Sequence, residues 1–454
     1  MTSGRSPDLD VAEGQSRRGR HRVASRRPDM RSPAVRATAG RLSWGLADQA
    51  VSSMTNFAVG IYVARSLGVT AFGIFSVAWV TYGVVLNIGR GLSTDPLVVR
   101  FSGVAHDSWR AAVAKSSGTA LRVGLLAGLV CLLAGIVIGG TLGWSFIALG
   151  IILPALLLQD SWRFAFFAAG QGRKACANDA VWAAALIPAM ILATRHGSVV
   201  AFVLAWGASG AVAAGYGCFQ TGIRPRATGI GDWLRQQRDL APRYLIENVS
   251  NSGAAQIRMY GLGALAGLAD VGTVRGAELL LGPFLAVLMG LSLVTVAEAA
   301  RVLRRSPHRL RLFCLLLGGG QAVAAMLWGI ALLLLLSNRV GELLLGEVWH
   351  TASALILPAT LSVMGVSFCT GAAAGLRALG VARRSLRSQV IASAMFVTGG
   401  LVGAFEGGAL GSSWGVATST WLGAVVWWLH LRVGLREHAA TLATPLDRDE
   451  MRTP

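Results

Sequence analysis

Apolar stretches long enough to cross a bilayer recur from Arg41 to about Arg432. A helical crossing needs about 20 mostly apolar residues at a rise of about 1.5 Å each. Only 14% of the 454 residues are charged, against about a quarter in a soluble domain. The chain is therefore read as an all-α polytopic membrane protein. Spans are expected near 42–65, 72–97, 117–140, 145–168, 177–194, 198–221, 244–267, 274–299, 312–336, 351–375, 388–405 and 409–431. That makes about 12 transmembrane helices. The seventh is so polar that hydropathy alone would miss it.

The arginines fix an orientation. With the N-terminus inside, the inner connections hold Arg100, Arg110, Lys115 and Arg122, then Arg173 and Lys174. Next come residues 224–243 with five arginines, 301–311 with five, and 377–387 with four. The opposite connections hold little beyond Arg65, Arg195, Arg275 and Arg339. This alternation follows the positive-inside rule and predicts an even number of spans with both termini cytoplasmic. It also accounts for the net charge of +19 without nucleic acid. Residues 1–40 carry nine arginines and no hydrophobic run. They read as a disordered basic cytoplasmic tail rather than a signal peptide, suited to anionic lipid headgroups. The expected division is a tail at 1–40, a six-helix lobe at 41–222 and a cytoplasmic linker at 223–242 with a short helix around Trp233. A second six-helix lobe follows at 243–433, then a cytoplasmic tail at 434–454.

The first span carries Asp48, Gln49, Ser52, Ser53 and Asn56. A lipid-facing anchor has no use for that set, whereas a helix lining a watery cavity does. The seventh span repeats the pattern with Glu247, Asn248, Ser250, Asn251 and Arg258. Setting Gly68 on Gly267 aligns LGVTAFGIFSVAW (67–79) with AGLADVGTVRGAE (266–278) and puts Gly73 on Gly272. Both segments join an odd span to the next across a short outer turn. Two equivalent halves that both start inside imply parallel repeats, with a substrate site near their interface.

An ionisable residue inside a span costs a few kcal/mol on insertion scales and calls for a partner or a purpose. Asp48 lies about 9 Å, and Arg90 about 10 Å, from the inner ends of neighbouring spans, so the two can pair. Arg258 has the reach to pair with Glu278 in the next span. Asp160 and Arg163, three residues apart, can pair with each other. Glu247, Asn251 and Arg258 fall on one side of the seventh helix. Two readings stay open. The charges are structural ion pairs, or Arg90 and Arg258 meet an anionic substrate through their planar forks while carboxylates neutralise the empty site or carry a proton. The cavity candidates are Arg90, Arg258, Asn251, Asn56 and Gln49. Asp48, Glu278 and Glu247 are the coupling or ion-pair candidates.

No GxxxxGK[ST], HExxH or GxSxG occurs. The longest outer connection, near 337–350, is too short for a catalytic domain. No enzyme, metal or cofactor is therefore expected. The five cysteines stand singly in or beside apolar spans and read as small apolar residues.

The segment ARSLGVTAFGIFSVAW (64–79) resembles the turn between helices 1 and 2 of polysaccharide-export flippases. LRALGVARRSLRSQV (376–390) is similar to the inner loop between their helices 10 and 11. These belong to the multidrug/oligosaccharidyl-lipid/polysaccharide exporter superfamily, in its O-antigen-type flippase branch. The resemblance implies two six-helix lobes around a V-shaped cavity, worked by alternating access. It implies a lipid-linked oligosaccharide on undecaprenyl pyrophosphate, moved from the inner to the outer leaflet for exopolysaccharide or cell-wall glycan assembly. It also implies arginines in the cavity, and Arg90 and Arg258 are those in suitable spans. Expected partners are that substrate, membrane lipids, a glycan polymerase and glycosyltransferases, in a bacterial plasma membrane. The alternatives are a multidrug/cation antiporter of the same superfamily and a membrane polysaccharide polymerase.

Overall fold

A computed structural model describes residues 33–226 and 228–443. Its long helices are α1 (Pro33–Ser66), α2 (Val69–Phe101), α3 (His106–Ile138), α4 (Gly140–Ala168), α5 (Gly172–His196) and α6 (Val199–Thr221). They continue with α7 (Ala241–Leu265), α8 (Leu268–Arg305), α9 (Leu310–Leu335) and α10 (Val348–Ala378). A final run, Ala382–Ala443, is broken by non-helical backbone at Gly407 and Gly408. It therefore supplies α11 (382–406) and α12 (409–443). This twelve-helix architecture is the one expected, and among the described residues there are no strands. Together the long apolar helices make the chain a multi-pass membrane protein.

The helices run further than the apolar patterns that mark them. Helix α1 begins at Pro33, so the end of the segment expected to be a disordered tail is helical. Residues 1–32 lie outside the described residues. Helix α12 likewise continues past 433 to Ala443, and residues 444–454 lie outside. Between the halves, the short helix Ile230–Gln236 docks on the first bundle. Trp233 is completely buried and its Nε1 donates to the Leu92 carbonyl at 3.1 Å.

The two halves meet where the repeat predicts. Helices α1 and α7 end at Ser66 and Leu265, and α2 and α8 begin at Val69 and Leu268. All four positions keep the register that sets Gly68 on Gly267. A Cβ on Gly73 would stand 1.7 Å from the Leu268 carbonyl oxygen, and one on Gly272 2.2 Å from that of Val69. In the repeat register Val69 corresponds to Leu268 and Gly73 to Gly272, so the contact is reciprocal. A contact of residue i with j and of j with i marks a two-fold relation between halves.

Two seams flank this crossing, and they differ. Along α2–α7, Thr81 and Tyr260 share a hydrogen bond at 2.8 Å. Asn87 donates to Ser252 at 2.8 Å, and Asn248 donates to Asp95 at 2.8 Å. Along α1–α8 the contacts are apolar, with Gly60 against Leu279 and Gly282 against Phe57. The same register sets Ser252 on Ser53 and Asn87 on Ala286. Where the first seam has a hydrogen-bonded pair, the second has a serine facing an alanine, and both line a cavity.

The end nearest this crossing is tied further. Asp270 Oδ1 accepts from the Ala409 backbone N–H at 2.7 Å, capping α12 just after the left-handed Gly408. Alanine at Gly73 would drive a methyl group into backbone that cannot move without parting the halves. Gly73→Ala and Gly272→Ala should each destabilise the protein by about 1–3 kcal/mol or more. A lowered melting temperature of each purified variant checks this; unchanged melting contradicts the crossing.

Candidate functional site

A cavity of about 580 Å³ lies on the α1–α8 seam and extends into the second bundle. Helix α1 contributes Ser53 and Asn56, α2 contributes Trp79, and α11 contributes Phe396. Its charged wall is Arg258 from α7 with Arg275 and Glu278 from α8. Arg258 is only 5% exposed. Its Nη2 donates to Glu278 Oε1 at 2.5 Å, while Arg275 Nη1 donates to Glu278 Oε2 at 2.9 Å. Two guanidinium groups thus share one carboxylate. The guanidinium carbon of Arg258 stands 5.4 Å from the Phe396 ring centroid, a cation–π contact. Gly400 of α11 leaves room for the arginine stem, since a Cβ there would be 2.8 Å from its Cδ. The Nε of Arg258 is buried without a hydrogen-bond partner among the described residues. A buried unpaired donor on a cation is costly.

A second cavity of about 420 Å³ shares Val366 and Phe396 with the first and reaches Arg377 at the last turn of α10. Its wall also carries Thr370, Gln389 and Ser393. Phe396 therefore lines both chambers, each of which holds an arginine.

The first bundle has the opposite charge balance. Arg90 Nε and Nη2 grip Asp160 at 3.0 and 2.6 Å. Arg163 reaches Asp48 at 2.5 Å and Asp179 at 3.3 Å. Gln159 donates to Asp179 at 2.9 Å and to Asn178 at 3.2 Å. Three carboxyl groups share two guanidinium groups. Arg90 opens a π-helical turn, Arg90–Thr94, in α2; such turns re-aim side chains and occur often at functional sites.

Some expected pairings are corrected here. Asp48 pairs with Arg163, not Arg90, because Arg90 is taken by Asp160 across the α2–α4 contact. Asp160 and Arg163 therefore do not pair with each other. Arg258 and Glu278 do meet. Of the cavity candidates, Arg258 and Asn56 line the central cavity, and Arg90 lies in the first-bundle cluster instead. Gln49 is exposed and donates to Ser53 at 3.1 Å. Glu247 is exposed, and the side chain of Asn251 lies outside the described residues. Sequence reasoning passed over Asp179, Arg275 and Phe396. Asp179 sits near a span end, where a charge reads as solvated, and tertiary packing buries it beside Gln159 and Arg163 of α4.

Among solved structures, the chain is similar to the inward-facing conformation of a multidrug resistance MATE family transporter of the MOP superfamily. The TM-score is 0.62 at 15% identity, over 87% of this chain and 96% of that one. It is equally similar to the lipid II flippase MurJ in an inward closed conformation. There the TM-score is 0.62 at 10% identity, over 88% of this chain and 90% of that one. The chain has the fold of the MOP superfamily. No sequence-family model and no curated protein sequence matches it. At these identities the likeness speaks for the MOP fold alone, and the chemistry rests on this chain's own side chains.

In that fold Arg163 bridges α4 to α1 and α5 through Asp48 and Asp179. Arg163→Ala would leave Asp48 and Asp179 buried without their cation. The expected cost is about 3–5 kcal/mol, typical of breaking a buried ion pair. Glu247→Gln, at an exposed site, should cost almost nothing. Thermal melting of the two purified variants checks both; equal stability would contradict the cluster.

Proposed function

We propose that this protein is a flippase that moves a lipid-linked oligosaccharide from the inner to the outer leaflet by alternating access. The substrate head is a pyrophosphate joined to undecaprenol, and the pathway is exopolysaccharide or cell-wall glycan assembly. The observation that carries this reading is the surplus of guanidinium groups in the central cavity, with the Nε of Arg258 left without a partner. A planar fork of that kind suits phosphate oxygens. A lipid II flippase and a multidrug transporter share this fold at the same TM-score, so the substrate class rests on the cavity's own charges. The arginine-rich end faces the cytoplasm of a bacterial cell, with both termini on that side. The head group enters past Arg377, passes Phe396 and displaces Glu278 from Arg258. A glycan polymerase and glycosyltransferases act before and after it.

Arg258→Ala should lower glycan export about tenfold or more, the usual worth of charge-assisted hydrogen bonds. Arg258→Lys, which keeps the charge and loses the fork, should fall between. Export restored to a deletion strain, at equal membrane abundance, is the measurement. Wild-type export by Arg258→Ala would overturn the reading.

The three carboxyl groups of the first bundle favour a second element, a coupling proton. With two guanidinium groups among them, one negative charge is left for a proton to neutralise. Asp179→Asn should keep substrate binding and remove the dependence of transport on a pH gradient in proteoliposomes. An unchanged dependence would place coupling elsewhere. The same surplus is the feature that favours a multidrug/cation antiporter, which would bind organic cations and ignore pyrophosphate lipids.

A further inference from the structure

Away from both charge clusters, a crevice of about 470 Å³ opens between α9, α10 and α12. Its walls are apolar and aromatic, with Leu315 on α9, Phe368 on α10, and Trp421 and Trp428 on α12. Phe368 stacks on Trp428 at 4.9 Å and tilts against Trp421 at 6.1 Å, so the rings form one continuous wall. The Trp421 indole donates to the Leu361 carbonyl at 3.1 Å, which fixes that ring. Neighbouring residues Leu312, Leu316, Val425 and Leu429 are all exposed apolar side chains. In a membrane-spanning chain, such a surface faces lipid tails.

Two lining residues break the apolar pattern, Arg311 and Arg432. Arg311 lies in the first turn of α9, and Arg432 lies eleven residues beyond Trp421 on α12. At the helical rise, Arg432 is therefore about 16 Å from the deep end of the slot. Both arginines are exposed, and among the described residues no carboxylate pairs with either. Their neighbours at this end of the bundle differ, since Arg384 is held by Glu437 and Arg301 by Glu298. The crevice is thus a deep apolar slot with two free guanidinium groups at its rim.

We propose that this crevice binds an anionic phospholipid, with its phosphate between Arg311 and Arg432 and one acyl chain along the Phe368–Trp421–Trp428 wall. Two planar forks match phosphate oxygens. Arginines at the arginine-rich end of a membrane protein meet the leaflet whose anionic lipids attract them. A bound lipid here would brace α9 and α12 on the outside of the second bundle, away from the central cavity. The site stands on the crevice and its rim charges, whatever the transported substrate.

The test is native mass spectrometry of the detergent-purified full chain, given equimolar phosphatidylglycerol and phosphatidylcholine with matched acyl chains. The wild type should retain phosphatidylglycerol in preference. Arg311→Gln with Arg432→Gln should lower that retention about tenfold or more. Arg304→Gln with Arg305→Gln, which removes equal charge from the same end but not from the crevice, should leave it unchanged. Equal retention of the two lipids, or equal losses in the two double variants, would overturn the site. Displacement of phosphatidylglycerol by undecaprenyl phosphate at a lower concentration than by phosphatidylglycerol itself would also overturn it, and would assign the crevice to a polyprenyl chain.

Discussion

At Gly73 and Gly272 the backbone carbonyls of Leu268 and Val69 occupy the space where side chains would otherwise stand. The two halves touch there through backbone alone, at equivalent positions of an internal repeat. Everything between the halves follows from that contact. Toward the arginine-rich end the α2–α7 seam stays closed, with Gly91 against the backbone of Leu245, while the α1–α8 seam opens on a cavity. The repeat puts equivalent positions along the two seams, and the sequence gives them different chemistry. Asn87, Ser252, Asn248 and Asp95 tie α2 to α7. At the corresponding positions Ser53 is bonded within its own helix by Gln49 and Ala286 carries no polar side chain, and the central cavity lies there. A near-symmetric scaffold thus gains one bonded seam and one open one from a few polar substitutions.

Charge is distributed with the same asymmetry. Burying an ion costs several kcal/mol unless a counterion is held in good geometry. The first bundle meets this with Arg90 on Asp160 and Arg163 between Asp48 and Asp179. Its balance is negative. The second bundle buries Arg258 and lends it half of Glu278, the other half being used by Arg275. Its balance is positive, and it lies on the cavity. The first bundle thus holds an acid-rich cluster away from the cavity, and the second a base-rich wall within it.

Much of the fold was legible in the sequence, and for physical reasons. Hydropathy and arginine alternation report the bilayer directly, so the twelve helices were readable. The Gly68–Gly73 turn carried both the repeat and the family resemblance, because a backbone contact tolerates no side chain. The pairing of charges was less legible. Depth along a helix placed Asp48 beside Arg90, but azimuth decides partners, and the packing of α4 hands Arg90 to Asp160 instead. The Arg258–Glu278 contact was readable because α7 and α8 are joined by a short turn. Phe396 and Gly400 carried no local signal, since an aromatic ring and a glycine in an apolar helix look like ordinary packing.

The central claim is that Arg258 makes the cavity an anion site. It is tested most directly by equilibrium binding of an undecaprenyl pyrophosphate to the purified protein, with inorganic pyrophosphate as competitor. Saturable binding that pyrophosphate displaces, weakened about tenfold or more by Arg258→Gln, is the predicted result. Binding that Arg258→Gln leaves unchanged, or a protein that ignores pyrophosphate and takes up an organic cation in its place, would contradict it.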